Sequence, residues 1–307
     1  MMYYFIVNPK ARSNRGMRIW DIIEKELKKE EVSYEVYFTE YPHHATDLAR
    51  VVTEGGDYLT LVAIGGDGTV NEVLNGVVRL EQITFGYIPA GSSNDFIRDL
   101  HLPVKPEQAL HNILHPKYYK NIHLGQITCG DTIRRFAVSS GIGFDAAICH
   151  EALKSRFKNF LNKLKLGKLT YMGIAFHQIV LCKPELMTLH IDGCKTFQFP
   201  RTLFLAAMNC SYEGGGFRFC PKANPEREAL DFCIVHGLSK WKVPIPLLAA
   251  KKGHHTRFKG VDTLRCRKAR IHVDTPLAVH IDGESCGFQT DLDIECSKET
   301  LRIIAGC

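Results

Sequence analysis

The chain has 307 residues, 45% of them hydrophobic and 23% charged, with a formal net charge of +6 at pH 7. That is an ordinary globular composition at a length suited to two domains, and its mild basicity is far from a nucleic-acid-binding signature. The apolar stretches are too short to span a membrane, and the 11 cysteines contain no Cys-x-x-Cys pair, which argues against a disulfide framework or a zinc site.

The first third alternates strand and helix patterns. "YYFIV" (3–7) is continuously apolar, as a strand buried on both faces should be. "MRIWDIIEKELKKE" then places Ile19, Ile22, Ile23 and Leu27 at helical spacing. Strands over 34–38, 58–64 and 83–89 and helices over 44–52 and 69–78 follow, which predicts a parallel sheet with helices on its faces. The opening "MMYYFIVNPK" has no basic region and no cleavage site, so it reads as a first strand, and a cytoplasmic location is expected. Beyond about residue 125 the segments "TIRRFAVSSGIG", "LMTLHIDG", "KTFQFPRTLFLAAMN", "ALDFCIVHG" and "LAVHIDGESCG" are strand-like. They predict a second, mostly antiparallel β domain, interrupted over 145–181 by two helices that break near Gly167. The last strand, "LRIIAG", is expected to return to the first domain.

Three glycine-containing polar loops follow strands one, three and four: "NPKARSNRG" (8–16), "GGDGT" (65–69) and "PAGSSNDF" (89–96). All open at the carboxyl ends of strands, where open α/β sheets bind ligands. Glycine lets a backbone approach a ligand closely, and a helix N-terminus favours phosphate. Asp67 would repel a bare phosphate, so its presence points to a bridging cation. Alone, "GGDGT" reads equally well as a tight turn with Asp67 capping the helix.

With "SGIGFDA" (140–146), "NCSYEGGGFRFCPKA" (209–223) and "HIDGE" (280–284), these loops resemble the diacylglycerol kinase catalytic-domain family, related to sphingosine and ceramide kinases. The motifs occur in the family's order over nearly the whole chain. The resemblance implies an α/β plus all-β fold: an N-terminal α/β nucleotide-binding domain with a parallel sheet (1–125, rejoined by 293–307), then a β-sandwich lipid-substrate domain (126–292), with the active site in the cleft between them. It further implies an ATP-dependent, Mg²⁺-using lipid kinase that phosphorylates a lipid hydroxyl, with diacylglycerol, turned into phosphatidic acid, as the expected acceptor.

By resemblance, Gly65, Gly66, Asp67, Gly68 and Thr69 cradle the nucleotide phosphates. Asn8 and Arg12 flank them, with Thr39, Glu72, Gly91, Ser92 and Asn94 around the nucleotide; Ser92 stands where the family usually has threonine. Asp67 and Asp95 are the expected Mg²⁺ holders. Asp282 matches the family's catalytic aspartate, a general base for the lipid hydroxyl, and Glu284 would orient it or assist the metal. The plain alternative for "IDGE" is a hairpin turn, which is also the reading for Asp192-Gly193. Many bacterial relatives carry an Asp-Gly-x-Leu-Asp segment that holds a structural Mg²⁺. Here "PKANPEREALDF" keeps Asp231 as a metal candidate but sets Arg227 and Glu228 where the first Asp and the Gly belong.

Two stretches combine apolar residues with cations, 152–168 and 240–255, each readable as an element on an anionic membrane or as an ordinary packed helix. The expected partners are a membrane lipid and a peripheral anionic membrane surface, with no nucleic acid; a homodimer through an edge strand stays open. Two other readings stand beside the lipid kinase: an NAD kinase-like enzyme with a soluble acceptor, which also uses GGDGT, and a nucleotide-binding regulator without turnover.

Overall fold

The computed structural model describes residues 2–154 and 177–306. The first part runs β1 (Tyr3–Val7), α1 (Ala11–Lys29), β2 (Tyr34–Phe38), α2 (His44–Thr53), β3 (Leu59–Gly65), α3 (Asp67–Gly76), β4 (Ile83–Pro89), α4 (Phe96–Leu100) and α5 (Pro106–Leu114). β1 lies between β2 and β3, β3 pairs with β4, and all three pairings are parallel. The apolar runs follow from burial on both faces. Phe5, Val7, Val62 and Ile64 pack beneath α1 and α5, while Ile6, Leu61, Ala63 and Phe85 pack against α2 and α3.

The second part is antiparallel: β5 (Tyr118–Cys129), β6 (Thr132–Phe136), β7 (Ser139–Gly143), then after α6 (Phe144–Lys154) β8 (Glu185–Ile191), β9 (Lys195–Met208), β10 (Leu230–His236), α7 (Pro244–Ala250), β11 (Val261–Cys266), β12 (Lys268–Ile281) and β13 (Glu284–Ala305). Its core includes Leu189, Leu205, Phe232, Ile271 and Val279. Of the two helices expected over 145–181, α6 and a helical stretch at 177–181 are described. The break near Gly167 and most of the basic stretch 152–168 lie outside the described residues.

β13 joins the two parts. It begins as the hairpin partner of β12, runs antiparallel to β5, and ends parallel to β4, with Arg302 opposite Thr84 and Ile303 opposite Phe85. One hydrogen-bonded sheet therefore continues from β11 through β12 and β13 to β2. The residues that begin β13 (Glu284) and end β12 (Ile281) are thereby fixed relative to the ends of β3 and β4.

Candidate active site

The turn after β3 is shaped by close packing. A Cβ on Gly65 would lie 2.4 Å from the Thr69 side chain, and one on Gly91 would lie 2.7 Å from the Gly66 Cα. The loops after β3 and β4 thus touch through bare backbone, and Gly66 and Gly91 cannot take side chains without moving one loop. α3 starts with Gly66 at its N-cap and has no side-chain cap, so the first turn presents N–H groups to a ligand. Thr69 accepts a hydrogen bond from Asn8 Nδ2 (3.1 Å), which ties the loop after β1 to the same spot. Arg12, Ser13 and Asn14 have φ of 43°, 58° and 65°, so regular helix begins only beyond them. Arg12 is exposed there, and Lys10 Nζ donates to the Glu40 carbonyl at 3.2 Å. Thr39 is buried at the end of β2, with its N–H donating to Val7 O at 2.9 Å. Ser92 is exposed, while Asn94 turns inward, accepting from the Tyr87 hydroxyl (3.3 Å) and donating to Gly91 O (3.3 Å). Glu72 faces elsewhere: its carboxylate accepts the His43 N–H (3.2 Å) at the start of α2.

Asp282 forms the two-residue turn between β12 and β13 with Gly283, at φ of 47° and 84°, the positive pair that an Asp-Gly hairpin supplies. Here the turn does more than reverse the chain. Asp282 Oδ2 accepts from Asn71 Nδ2 and Ala137 N (both 2.8 Å), and Oδ1 from Val138 N and Ser139 N (both 2.9 Å). Three backbone donors and one side-chain donor hold this carboxylate. Burial pushes its pKa up, against the lowering effect of those N–H groups. Arg134 Nη2 then bridges Asn71 Oδ1 and Glu284 Oε2, both at 2.8 Å. Glu284 Oε1 reaches to 3.3 Å from where a Cβ on Gly68 would stand. The glycine turn and the Asp282–Glu284 turn meet, although Asn71 and Asp282 are 211 residues apart.

The three metal candidates are not gathered. Asp67 accepts from the N–H groups of Asp95 (3.2 Å) and Phe96 (3.4 Å) and has no ion-pair partner among the described residues. Burial and then the charges of Asp95 and Asp282 raise its pKa to about 6. A carboxylate raised by burial and like charge is a fitting ligand for a cation, which would relieve both. Asp95 is buried, pairs with Arg98 Nε (3.2 Å) and accepts the Gly215 N–H (2.8 Å), so it fastens the 213–217 loop instead. Asp231 corrects the sequence-based expectation: it sits on β10 directly opposite Arg265 on β11, whose guanidinium grips it at 2.9–3.2 Å. Nearby, Glu226 pairs with Lys120 (2.6 Å) and Glu228 with Arg267. Cationic side chains stand where a structural Mg²⁺ would have to, so that segment does not fit a metal.

Sequence reasoning missed Asn71, Arg134, Asp145, Glu213 and His280. Asn71 had a signal: with Asp67 and Asn75 it makes a polar i, i+4, i+8 stripe along the helix. Among the described residues only Asp145, Glu213 and His280 bring three such ligand atoms within 4.8 Å of one another. His280 is fully buried, its Nε2 lying 3.0 Å from Glu213 and 3.3 Å from Asp145. Burial lowers its pKa, but Glu213, Cys149 and Asp145 more than offset that and leave it well above the usual value. Gly283 N–H points at Nδ1 (3.3 Å), so the ring carries its first proton on Nε2, toward the carboxylates. That donor occupies the place of a metal, and the group reads as a buried polar triad two residues from Asp282.

Comparison with known proteins accords with this geometry. Residues 2–127 match the family model described as diacylglycerol kinase catalytic domain, and residues 137–305 match the YegS C-terminal NAD kinase beta sandwich-like domain. The chain is 31% identical over 307 residues to a Bacillus subtilis protein named "Putative lipid kinase YtlR", covering 98% of each chain. It is 29% identical over 259 residues to a diacylglycerol kinase of Mycobacterium tuberculosis, covering 83% of this chain and 80% of that protein. A crystal structure titled as a "putative diacylglycerol kinase" from Bacillus anthracis superposes with a TM-score of 0.77 at 22% identity, covering 99% and 97% of the two chains. The chain belongs to the diacylglycerol kinase catalytic-domain family and is a lipid kinase.

Proposed function

We propose that this lipid kinase transfers the γ-phosphoryl group of ATP to the hydroxyl of diacylglycerol, in a cleft between an α/β nucleotide domain (1–125 with 293–307) and a β-sandwich acceptor domain (126–292). The observation that carries the reading is the hydrogen bond from Asn71, on the GGDGT helix, to Asp282, in the late turn. Support for the acceptor comes from the relative named diacylglycerol kinase. The division at about residue 125 rests on β13, which leaves the antiparallel part to end beside β4.

Bound ATP would supply the phosphoryl group and Mg²⁺ the neutralising charge; the groups fitted to hold them are the α3 N-terminus with Gly65, Gly66, Gly68 and Thr69 for phosphate and Asp67 for the cation. Asn8, Gly91 and Asn94 keep the three loops in register around that spot. Asp282 takes the acceptor proton on Oδ2. In this conformation its lone-pair positions are engaged, so the acceptor hydroxyl must replace one donor. Asn71 Nδ2 is the exchangeable one, because the other three are backbone groups of a single turn. Glu284 and Arg134 position Asn71 for that exchange. We place the enzyme in the cytoplasm, peripherally on the membrane, where its acceptor lies. No helix among the described residues is long and apolar enough to cross a bilayer.

The test is transfer of ³²P from labelled ATP to diacylglycerol, a sphingoid base, phosphatidylglycerol and a prenol in anionic mixed micelles, with NAD as soluble acceptor. Label on diacylglycerol alone, lost in Asp282→Asn, supports both acceptor and base. Label on NAD, or on no acceptor while ATP still binds, overturns the proposal in favour of a soluble-acceptor kinase or a regulator without turnover.

A further inference from the structure

A second surface carries information beyond the catalytic groups. α7 turns Pro246 and Ala250 into the core, which leaves Ile245 and Leu248, three residues apart, on the outside. They are 59% and 66% exposed, and Trp241, on the preceding turn, is 69% exposed. Lys240 Nζ donates to the Val180 carbonyl (3.0 Å) and so seats exposed Val180 and Leu181 beside them. Single exposed apolar side chains are commonplace, but a contiguous projection of this kind marks an interaction site. Around it lie Lys242, Lys251, Lys252, Arg257 and Lys259, all exposed, and no Asp or Glu occurs from residue 232 to 261.

We infer that this apolar tip with its cationic collar is a docking surface for an anionic lipid bilayer. Charge complementarity selects the occupant. A one-signed lysine collar suits a sheet of anionic headgroups, whereas the cores of protein interfaces are depleted in lysine. An indole flanked by aliphatic residues suits the level of the headgroups. The surface is also coupled to the site. Arg218 N donates to Ala250 O (2.9 Å), and Lys251 lies 5.4 Å over the Phe217 ring, so α7 is fastened to the loop that supplies Glu213 to His280 and Gly215 to Asp95. Phe144, next to Asp145, packs in one cluster with Ile179 and Val243 beneath the tip. Docking there turns the acceptor side of the site toward the lipid. The inference rests on the lipid-kinase reading, whose acceptor lies in the membrane.

The test is sedimentation of the full chain with vesicles of phosphatidylcholine alone and of phosphatidylcholine with about a third phosphatidylglycerol. Two double variants, Trp241→Ser with Leu248→Asp and Lys242→Glu with Lys252→Glu, are run beside wild type after their melting curves are matched. Wild type is expected to bind only the anionic vesicles; the lysine variant should lose at least about 25-fold, from roughly fivefold per cation removed, and the tip variant at least about tenfold, from the apolar side chains withdrawn from the bilayer. Phosphorylation of dispersed dioctanoylglycerol should persist in both variants. Equal vesicle binding by wild type and variants, or no binding by wild type, overturns the inference. So does unchanged vesicle binding with an altered oligomeric state in the tip variant, which would assign the face to a second protein copy. Absence of label on dioctanoylglycerol in wild type counts against the acceptor reading and leaves the sedimentation result to stand or fall separately.

Discussion

Two groups of carboxylates in this chain are held in opposite ways. Around residues 226–231, Glu226, Glu228 and Asp231 each face a cationic side chain: Lys120, Arg267 and Arg265. At the glycine turn, Asp67 and Asp282 are held by N–H dipoles and have no ion-pair partner among the described residues. The first arrangement cancels its own charge and only stabilises. The second fixes carboxylates in place while leaving their charge uncompensated, and burial first, then repulsion from Asp95 and Asp282, raises the pKa of Asp67. A site that must attract a cation and accept a proton needs the second arrangement, and its energetic cost is offset by donors that orient without neutralising.

The largest effect that would test this contrast is at Asp282. Asp282→Ala should lower phosphotransfer by about 10³-fold, the scale of losing a general base. It should also lower the melting temperature, because the Ala137, Val138 and Ser139 N–H groups lose their acceptor. Calorimetry beside the ³²P assay checks both; a fully active variant would remove Asp282 from the chemistry.

Next comes Asp67, where the sign is reversed. Its folded pKa of about 6 lies above the ordinary value of 3.8. The stability carried by its neutral form is therefore fully present below about pH 4 and lost as pH rises through 6. Asp67→Asn should exceed wild type in stability by up to about 3 kcal/mol above pH 7, with the gain vanishing toward pH 4, while phosphotransfer falls. Urea unfolding at pH 4, 6 and 8 reads this directly, and a variant less stable than wild type at pH 8 would contradict the uncompensated-charge account.

At the distal group the expected loss is smaller and purely structural. Arg265→Ala leaves Asp231 buried beside no cation and should cost about 2 kcal/mol, less than a fully buried pair because the guanidinium is partly exposed. Turnover should stay within about twofold. Treating wild type with a chelator should leave its melting temperature unchanged, since side chains rather than a metal neutralise this segment. A drop on chelation would restore a metal there. The smallest effect belongs to Glu72→Ala, which removes an acceptor at the start of α2 and should cost about 1 kcal/mol with little change in rate.

Much of the first part was legible in sequence because its central strands are buried on both faces, so "YYFIV", "LTLVAI" and "ITFGYIP" announce themselves without knowledge of their neighbours. β5 and β11 were not legible: "YYKNIHLGQITC" and "VDTLRC" mix polar and apolar residues, with exposed positions along their lengths. The loops after β1, β3 and β4 were legible as candidates through their glycines. The roles of single residues within them were less so: Glu72 caps α2 and Asp95 anchors a loop from the second part.

By itself the sequence determined the parallel order of helix and strand at the start, the three polar loops, the family to which the motifs belong and the Asp-Gly turn at residue 282. Those are local properties, set by periodicity and by the backbone freedom of glycine within a few residues. Only the tertiary structure decided which carboxylates stay uncompensated. Asp231 is neutralised because antiparallel register puts Arg265 opposite it, and Asp282 is fixed because β13 brings its turn to Asn71. Charge compensation depends on distance in space, and here the partners lie from 34 to 211 residues apart in sequence.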